Sequence, residues 1–373
     1  MLRHKTFKNQ DELTDFLKSV TPSDVYSSCA YYADPEADMD RKGWLGADLV
    51  FDIDADHIVT PCNKVHDEWT CGNCGFVGVG ILPSTCPVCG RQKFSTKSWS
   101  CDVCLKSAKE ETAELLDMLL QDFGFSESEV HVFFSGHRGY HVHVENEAIK
   151  QLDTVARKEI VDYVSGVGIE LSFYGFGEKD KRGTNAIKGS NLPELGWHGR
   201  LVHGMQNFIL DAEEDDLGEI GVKKSAALAI LRSKDSLLKG WLDEKATGLA
   251  KGVGFESWKK IAEHCVKLQS AQIDTVVTTD VHRLIRLVST LHSKTGFKKV
   301  EFPISDIEMF DPFKSAIAFK KGNATALVSD APQFRLGNEL FGPYKNQKVE
   351  LPTAAAVLLI CRGRAEVIEE NVR

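Results

Sequence analysis

Three aspartates at alternating positions end an apolar stretch of this chain. Asp52, Asp54 and Asp56 follow the apolar residues 49–51. Side chains of a strand alternate between its faces, so these carboxylates project from one side, where they repel one another unless a cation lies between them. Oxygen ligands suit Mg²⁺ or Mn²⁺, which proteins usually hold through one or two carboxylates together with substrate phosphates. The pattern predicts a divalent metal site for phosphoryl or nucleotidyl transfer, and a strand that ends in a polar turn is the alternative.

A turn bracketed by glycines offers donors for phosphate. It follows a predicted strand at 130–134 and places a hydroxyl, a guanidinium and an imidazole around two glycines. Arginine binds phosphate oxygens in a two-pronged geometry, and hydroxyl and backbone N–H groups add neutral donors. The candidate ligands in this turn are Ser135, Arg138 and His141. An exposed polar hairpin would carry the same residues.

A third segment, residues 273–296, combines a carboxylate with several cations. Asp274 is predicted on a short strand, followed by two arginines on a predicted helix and by a histidine and a lysine in a turn that ends in glycine. The candidate phosphate ligands are Arg283, Arg286, His292 and Lys294. The segment predicts a third metal ligand and a group of cations around the phosphates, although each part alone could be an ordinary exposed polar segment.

Seven of the ten cysteines lie between Cys62 and Cys104, mostly in pairs with two residues between them. Two such pairs, each followed by glycine, predict a zinc ribbon with Cys71, Cys74, Cys86 and Cys89 as ligands. The remaining candidates form a second set of three thiols and one imidazole, Cys62, His66, Cys101 and Cys104. Both sets have four protein ligands and no open position, so one or two structural Zn²⁺ ions are expected. In the second set, a solvated His66 and an ordinary buried Cys62 are the alternatives.

The composition is that of a globular protein with two modules or with one domain that carries insertions. The chain has 373 residues, a net charge of −9 and no apolar stretch near the roughly 20 residues of a membrane span. Its first residues lack the apolar core of a secretory signal, so an intracellular protein without membrane contact is expected. The charge argues against a generally basic protein that coats nucleic acid, but a local basic cleft can coexist with an acidic exterior.

Hydrophobic periodicity predicts the elements that position these residues. Helices are predicted at 105–123, 152–166 and 352–360, strands near 299–303, 315–319 and 324–328, and a polar helical insertion without strands at 211–268. The stretch 177–204 is predicted to be a flexible basic loop, near a polyanion or simply solvated. Its basic residues are Lys179, Lys181, Arg182, Lys188, His198 and Arg200.

Together these segments resemble the catalytic small subunit of archaeal and eukaryotic DNA primases. The resemblance is carried, in order and spacing, by residues 47–57, 135–141, 280–286 and 291–296, and extends to 30–32, 42–44 and 310–313. It implies an α+β fold with a mixed sheet at 1–210 and 269–373, a zinc-binding insertion at 62–104 that contains a ribbon at 71–89, and the helical insertion at 211–268.

The resemblance also assigns roles to the candidate residues. It implies that Asp52, Asp54 and Asp274 hold two Mg²⁺ or Mn²⁺ ions, with Asp56 and His57 in a supporting role. The residues that it places on the phosphates of the incoming nucleotide are Ser135, Arg138, His141, Arg286, His292 and Lys294. A zinc site inserted after the acidic strand is a trait of the family, and the ribbon looks like an additional insertion within it.

The activity implied by the resemblance is template-directed synthesis of short RNA, or DNA, primers on single-stranded DNA from NTPs or dNTPs. The expected partner is the iron–sulfur large subunit of a heterodimer, and the expected setting is the nucleoid of an archaeal cell. Family members usually carry an Arg-Glu-aromatic element near their start, and no match precedes residues 3–5. The chain is therefore expected to be truncated there or to lack that contribution to the nucleotide pocket.

Three alternatives compete with primer synthesis. A repair or translesion polymerase of the same superfamily would extend existing primers without initiating them. A zinc-ribbon scaffold would bind nucleic acid without catalysis. A phosphatase of the haloacid dehalogenase type shares the aspartate pattern, but it leaves the segments 135–141 and 292–296 unexplained.

Overall fold

The computed structural model describes residues 2–174, 186–187, 195–237, 247–248 and 252–368. Their contacts form two compact units. The first comprises Met1–Ala113, Ser126–Lys158 and Gln272–Arg373, and the second Glu114–Phe125 and Glu159–Ala271. Four residues of the predicted basic loop lie outside the described residues: Lys179, Lys181, Arg182 and Lys188.

The strands of the described residues are short and numerous. In chain order they are β1 Tyr26–Ser28, β2 Ala30–Tyr32, β3 Trp44–Ala47, β4 Leu49–Asp54, β5 Glu68–Cys71, β6 Val77–Val79, β7 Phe94–Lys97, β8 Val130–Phe134, β9 Gly139–Val144, β10 Ala186–Ile187, β11 Thr247–Gly248, β12 Leu284–Arg286, β13 Val300–Phe302, β14 Asn323–Ala331, β15 Phe334–Leu336, β16 Glu339–Phe341, β17 Tyr344–Pro352 and β18 Ala365–Val367.

Helices alternate with these strands. They are α1 Gln10–Val20, α2 Asn63–His66, α3 Asp102–Asp117, α4 Thr154–Val164, α5 Gly196–Asp211, α6 Glu214–Glu219, α7 Lys224–Arg232, α8 Phe255–Leu268, α9 Thr275–Thr279, α10 Pro312–Ser315 and α11 Thr353–Cys361, with a π-helical turn at Met118–Asp122 and 3-10 turns at Leu171–Tyr174 and Ile304–Asp306. Helices and several sheets in one chain confirm the predicted α+β class. None of these helices is both long and apolar enough to cross a bilayer.

The central sheet of the first unit has four strands in the order β13-β8-β9-β4. Every strand pairing in the described part of the chain is antiparallel, so the predicted mixed sheet is wrong in this respect. The side chains of Leu49, Phe51 and Ile53 in β4 are fully buried, which fixes the register of this strand because a one-residue slip would expose them. Burial on one face therefore determines where the carboxylates of β4 project.

Several predicted elements have a different form in the structure. The residues 284–286 form β12, which pairs with β1, rather than part of a helix. The predicted strand at 315–319 is reduced to an isolated bridge between Ile317 and Phe297. Helix α10 extends to Ser315, and the carboxylate of Asp311 caps its start by accepting a hydrogen bond of 3.1 Å from the backbone N–H of Phe313. In both places a tertiary or capping contact outweighs the local sequence pattern.

The second unit is mainly helical, and it contains the predicted insertion 211–268. Within that insertion Thr247–Gly248 pairs with Ala186–Ile187, so the expectation of no strand there is wrong. His198 and Arg200 lie in helix α5 rather than in a loop. The buried guanidinium of Arg200 forms ion pairs of 2.6 Å with Asp117 and with Asp122, which gives it a structural role within this unit.

Candidate active site and metal centres

The aspartates predicted as metal ligands come from two places in the chain. Asp52 and Asp54 lie on β4, at the edge of the central sheet. The backbone N–H of Asp274 donates a hydrogen bond of 2.8 Å to the carbonyl oxygen of Asp52. The sequence predicted Asp274 on a short strand, but the residue caps helix α9 instead. Its Oδ1 accepts a hydrogen bond of 3.0 Å from the N–H of Val276.

The negative charges of these carboxyl groups repel one another. Burial, together with the charges of Asp54 and Asp274, raises the pKa of Asp52 to about 7. Burial and the charge of Asp56 raise the pKa of Asp54 to about 6. Carboxylates that repel each other in a partly dry site are the donor set that a divalent cation stabilises. The acidic residues therefore suit a divalent cation, and among the described residues the ligand atoms that converge are those of Asp54 with Asp56 and His137 rather than with Asp52 and Asp274.

A row of basic side chains lies beside Asp52 in the sheet. The Nε2 atom of His141 is 3.5 Å from Oδ1 of Asp52, and the Nζ atom of Lys299 is 3.3 Å from Nε2 of His143. Lys299 is 1% exposed, and its burial lowers the pKa of its ammonium group to about 7. Burial and Lys299 hold the pKa of His141 well below its usual range, so the imidazole is neutral. Sequence reasoning missed Lys299, because nothing in its local pattern signals burial.

The glycine-bracketed turn packs directly against the acidic strand. A Cβ atom at Gly139 would lie 1.9 Å from the carbonyl oxygen of Ile53, so only glycine fits beside β4. Gly136 has a φ of +89°, which glycine adopts without strain. Its carbonyl oxygen accepts a hydrogen bond from the hydroxyl of Thr295, and the ring of His292 stacks on His137 with centroids 4.8 Å apart. These contacts bring the predicted turns 135–139 and 292–296 together.

Two of the three arginines predicted to hold phosphate, Arg138 and Arg286, are bonded to carboxylates of the chain. Arg138 is fully buried, and its guanidinium donates to Asp67 over 3.0 and 3.1 Å. Arg286 donates over 2.7 Å to Asp24, and although burial acts the other way, hydrogen bonds from Arg286 and Ser293 lower the pKa of Asp24 to about 2. Contact of these arginines with a nucleotide stays a prediction.

The other predicted phosphate ligands differ in their exposure. Lys294 is exposed, and Arg283 is half-buried close enough to Asp52 for its charge to lower the pKa of that carboxyl group. Ser135 is buried, and its hydroxyl accepts a hydrogen bond of 3.3 Å from the N–H of His137. Burial, followed by the charge of Arg286, lowers the pKa of His292 to about 3. Lys294 is thus the cation of this set that reaches solvent most freely.

A further group of potential ligands lies next to the acidic strand. Ligand atoms of Asp54, Asp56 and His137 all lie within 4.8 Å of one another. Burial and the charge of Arg362 lower the pKa of His137 well below its usual range, and its Nε2 accepts a hydrogen bond of 3.1 Å from Arg362. The sequence showed His137 within the glycine-bracketed turn but gave no sign that it meets Asp54 and Asp56.

The second set of cysteines converges around one point. Ligand atoms of all four predicted residues lie within 4.8 Å of one another, namely those of Cys62, His66, Cys101 and Cys104. The Sγ atoms of Cys62 and Cys101 are each 3.4 Å from that of Cys104, and Nε2 of His66 is 3.3 Å from Cys101. A tetrahedral Zn²⁺, with Zn–S bonds of about 2.3 Å, needs sulfurs roughly this far apart. This group, here called the Cys₃His centre, fits a zinc ion.

The ribbon cysteines converge in the same way. Their Sγ atoms are 3.6 Å apart for Cys71 and Cys89 and 3.7 Å apart for Cys74 and Cys86, and all four lie within 4.8 Å of one another. The glycine that follows each pair has a positive φ, +73° at Gly75 and +69° at Gly90, and donates its N–H over 2.9 Å to the first cysteine of its own pair. The two knuckles share one geometry, as the spacing predicted.

Comparison with known proteins places this arrangement in a family. The family model described as DNA primase small subunit matches residues 93–304. The chain belongs to the DNA primase small-subunit family. Proteins named DNA primase small subunit PriS match nearly its whole length: that of Methanothrix thermoacetophila is 33% identical over 98% of this chain and 89% of its own length, and that of Methanococcoides burtonii is 34% identical over 98% and 88%.

A third relative agrees. The DNA primase small subunit PriS of Cenarchaeum symbiosum is 33% identical over 98% of this chain and 88% of its own length. The family segment includes the glycine-bracketed turn, Asp274 and the 292–296 turn, whereas Asp52, Asp54 and most of the cysteines precede it. Membership in the family confirms the resemblance that the sequence segments indicated.

Proposed function

We propose that this chain is the catalytic subunit of a DNA primase, a nucleotidyltransferase that makes short RNA or DNA primers on single-stranded DNA. Membership in the DNA primase small-subunit family supports the reaction class. The observation that carries the proposal is the hydrogen bond from the backbone N–H of Asp274 to the carbonyl oxygen of Asp52, because it joins the two chain segments that bear the predicted metal ligands.

In this site the acidic side chains would bind metal ions and the basic side chains would bind phosphate. Asp52, Asp54 and Asp274 would hold the divalent cations, which when bound supply Lewis-acid activation of the 3′-hydroxyl and of the α-phosphate. Lys294 and Arg283 would bind the β- and γ-phosphates and orient the nucleotide for in-line attack. Because burial and Lys299 hold its pKa well below the usual range, His141 would be a poor proton acceptor and would instead donate a hydrogen bond to phosphate.

Two buried cations, Lys299 and Arg286, also interact with carboxylates of the chain. Lys299 carries its charge into the interior near Asp52, and its charge lowers the pKa of that carboxyl group. It therefore favours the ionised form of Asp52 that a metal ligand requires. Arg286 holds Asp24 and the carbonyl oxygen of Leu291, which fixes the start of the 292–296 turn.

The remaining proposals follow from the family. The substrates would be NTPs or dNTPs on a single-stranded DNA template, the structural ions would be Zn²⁺ at the Cys₃His centre and in the ribbon, and the partner would be the large subunit of a heterodimeric primase. The segment 211–268 is proposed as an insertion without catalytic residues.

A priming assay tests the activity. The protein is incubated with an unprimed single-stranded template, labelled NTPs or dNTPs, and Mg²⁺ or Mn²⁺, and short products are resolved on a gel. Wild type and the control D38A, which changes an exposed aspartate paired with Arg41, should make primers, and D52A should not. Extension of an added primer without initiation would favour a repair polymerase. DNA binding without incorporation, unchanged in D52A, would favour the scaffold.

A further inference from the structure

One carboxylate outside both predicted sites joins them. Asp67 follows helix α2 and is mostly buried. Its oxygens accept hydrogen bonds of 2.9 Å from Nδ1 of His66 and 3.0 Å from the side chain of Asn63. They also accept the two bonds from Arg138. The carboxylate is thus fixed from several sides.

On one side Asp67 orients a ligand of the Cys₃His centre. Nε2 of His66 lies 3.3 Å from the sulfurs of Cys101 and Cys104, so this nitrogen faces the metal position. The opposite nitrogen, Nδ1, must then carry the proton that it donates to Asp67. A carboxylate behind a metal-binding imidazole sets its tautomer and its angle, and the loss of such a partner typically weakens metal binding by about 10- to 100-fold.

On the other side Asp67 holds Arg138, which reaches both sites. The guanidinium of Arg138 is 3.3 Å from Sγ of Cys104 and also donates to the carboxylate of Asp56. Because Arg138 is fully buried, these partners are the ones that balance its charge, and they leave little freedom to its side chain.

The contacts continue from Asp56 to the acidic strand. The backbone N–H of Asp56 donates a hydrogen bond of 2.9 Å to Oδ1 of Asp54. The N–H of Ala55 donates to the carbonyl oxygen of Arg138 over 3.2 Å, so both ends of Arg138 hold the same turn. A continuous path of hydrogen bonds therefore runs from His66 through Asp67, Arg138 and Asp56 to Asp54.

We propose that Asp67 and Arg138 are positioning residues that couple the Cys₃His centre to the catalytic carboxylates. An occupied Cys₃His centre fixes Asp67 and Arg138, and these fix the turn that aims Asp54. The inference rests on the proposed function, because it assumes that Asp54 holds the catalytic cation. Coupling between two sites is reciprocal, so each metal strengthens the binding of the other by the same factor.

The variant D67N tests this coupling, because it keeps the volume of the side chain and removes its charge. The measured quantities are the affinity for Mn²⁺, followed by electron paramagnetic resonance, and the rate at which a chelator removes zinc. We expect Mn²⁺ affinity to fall several-fold and zinc to leave the Cys₃His centre about 10- to 100-fold faster. In primer extension, kcat should fall while the KM for the nucleotide stays close to that of wild type.

The matched control is E68Q. Glu68 is the next residue, it has the same chemistry, and its partner is the exposed Lys97 at 3.8 Å. This variant should match wild type in every measurement. Circular dichroism establishes that D67N is folded. If D67N does not fold, the reciprocal test on wild type decides: saturating Mn²⁺ should slow zinc release from the Cys₃His centre, and it should not do so in D52A.

Cobalt substitution separates the two zinc sites in that experiment, because three-thiolate and four-thiolate sites give different ligand-field spectra. Unchanged Mn²⁺ affinity and unchanged zinc retention in folded D67N would overturn the coupling while primer synthesis stands. A protein that shows the coupling but makes no primers would overturn the proposed function instead.

Discussion

The backbone N–H of Asp274 donates a hydrogen bond of 2.8 Å to the carbonyl oxygen of Asp52. This contact is possible because β4 is the edge of the central sheet, where one side of the strand backbone has no strand neighbour among the described residues. The carboxylate of Asp274 also starts helix α9. One residue therefore fixes the junction of two chain segments and supplies charge to the site.

The double role of Asp274 can be separated by mutation. Asparagine caps a helix about as well as aspartate, so D274N should keep the free energy of unfolding or raise it slightly as repulsion with Asp52 is relieved. Nucleotide incorporation should fall by on the order of 100-fold or more, because a charged ligand is lost. D274A should lose the cap as well, at about 1 kcal/mol. Urea unfolding and a primer-extension assay measure both effects. Full activity of D274N would exclude Asp274 as a metal ligand.

The ionisation of Asp52 should cost the metal-free protein stability as the pH rises, whereas the buried histidines, whose pKa values are lowered, act in the opposite direction. The pKa of Asp52 is about 7 in the folded chain against an ordinary value of 3.8, so the folded state holds this proton more tightly than the unfolded state. The stabilisation is present below pH 4 and disappears as the pH rises through about 7, an effect of roughly a few kcal/mol. Urea unfolding at pH 5 and pH 8 with a chelator present measures it. Because the histidines are common to both proteins, the free energy of unfolding of wild type should drop relative to that of D52N from pH 5 to pH 8, and an unchanged difference would contradict the assignment.

The two cysteine groups should bind one zinc ion each. Purified wild type should contain about two zinc ions per chain by elemental analysis, since four ligands converge in each group. C89S should reduce the content to about one, and C104S should do the same with a larger loss of stability, because Cys104 is buried and contacts Arg138. If wild type contains a single zinc ion per chain and C89S retains it, the ribbon folds without metal.

Gly139 should tolerate no side chain. In G139A the new Cβ would overlap the carbonyl oxygen of Ile53, and β9 would have to move away from the strand that carries Asp52 and Asp54. The free energy of unfolding should fall by about 3 kcal/mol or more, and incorporation should be lost. The matched control is G218A: Gly218 lies in helix α6 with nothing near the added atom, so that protein should gain up to about 1 kcal/mol. Thermal unfolding compares the two.

The parts of the site that local spacing determines were predictable from the sequence. The alternation of apolar and acidic residues placed Asp52 and Asp54 on one strand. Cysteine pairs with two residues between them predicted both groups of cysteine ligands. Membership in the family could be inferred because the segments keep their order. Each of these signals spans only a few residues, and local geometry needs no knowledge of the remaining chain.

Other features depend on contacts that the sequence does not display. The β-branched residues after Asp274 favour a strand, but the carboxylate cap starts a helix. The spacing of Arg283 and Arg286 suits a helix, but pairing with β1 makes that segment a strand. The bonds of Arg138 to Asp67 and the burial of Lys299 arise from distant segments, so no local pattern indicates them.

The ribbon leaves and rejoins the chain through neighbouring strands. In β5 and β7, Glu68 pairs with Lys97 and Cys71 pairs with Phe94. The chain thus returns to within about 5 Å, one strand spacing, of where it departed. Residues 72–93 therefore lie outside the direct connection between Asp67 and Trp99. Such a module can be lost, enlarged or exchanged for an unrelated hairpin during evolution while the residues on either side of it keep their places.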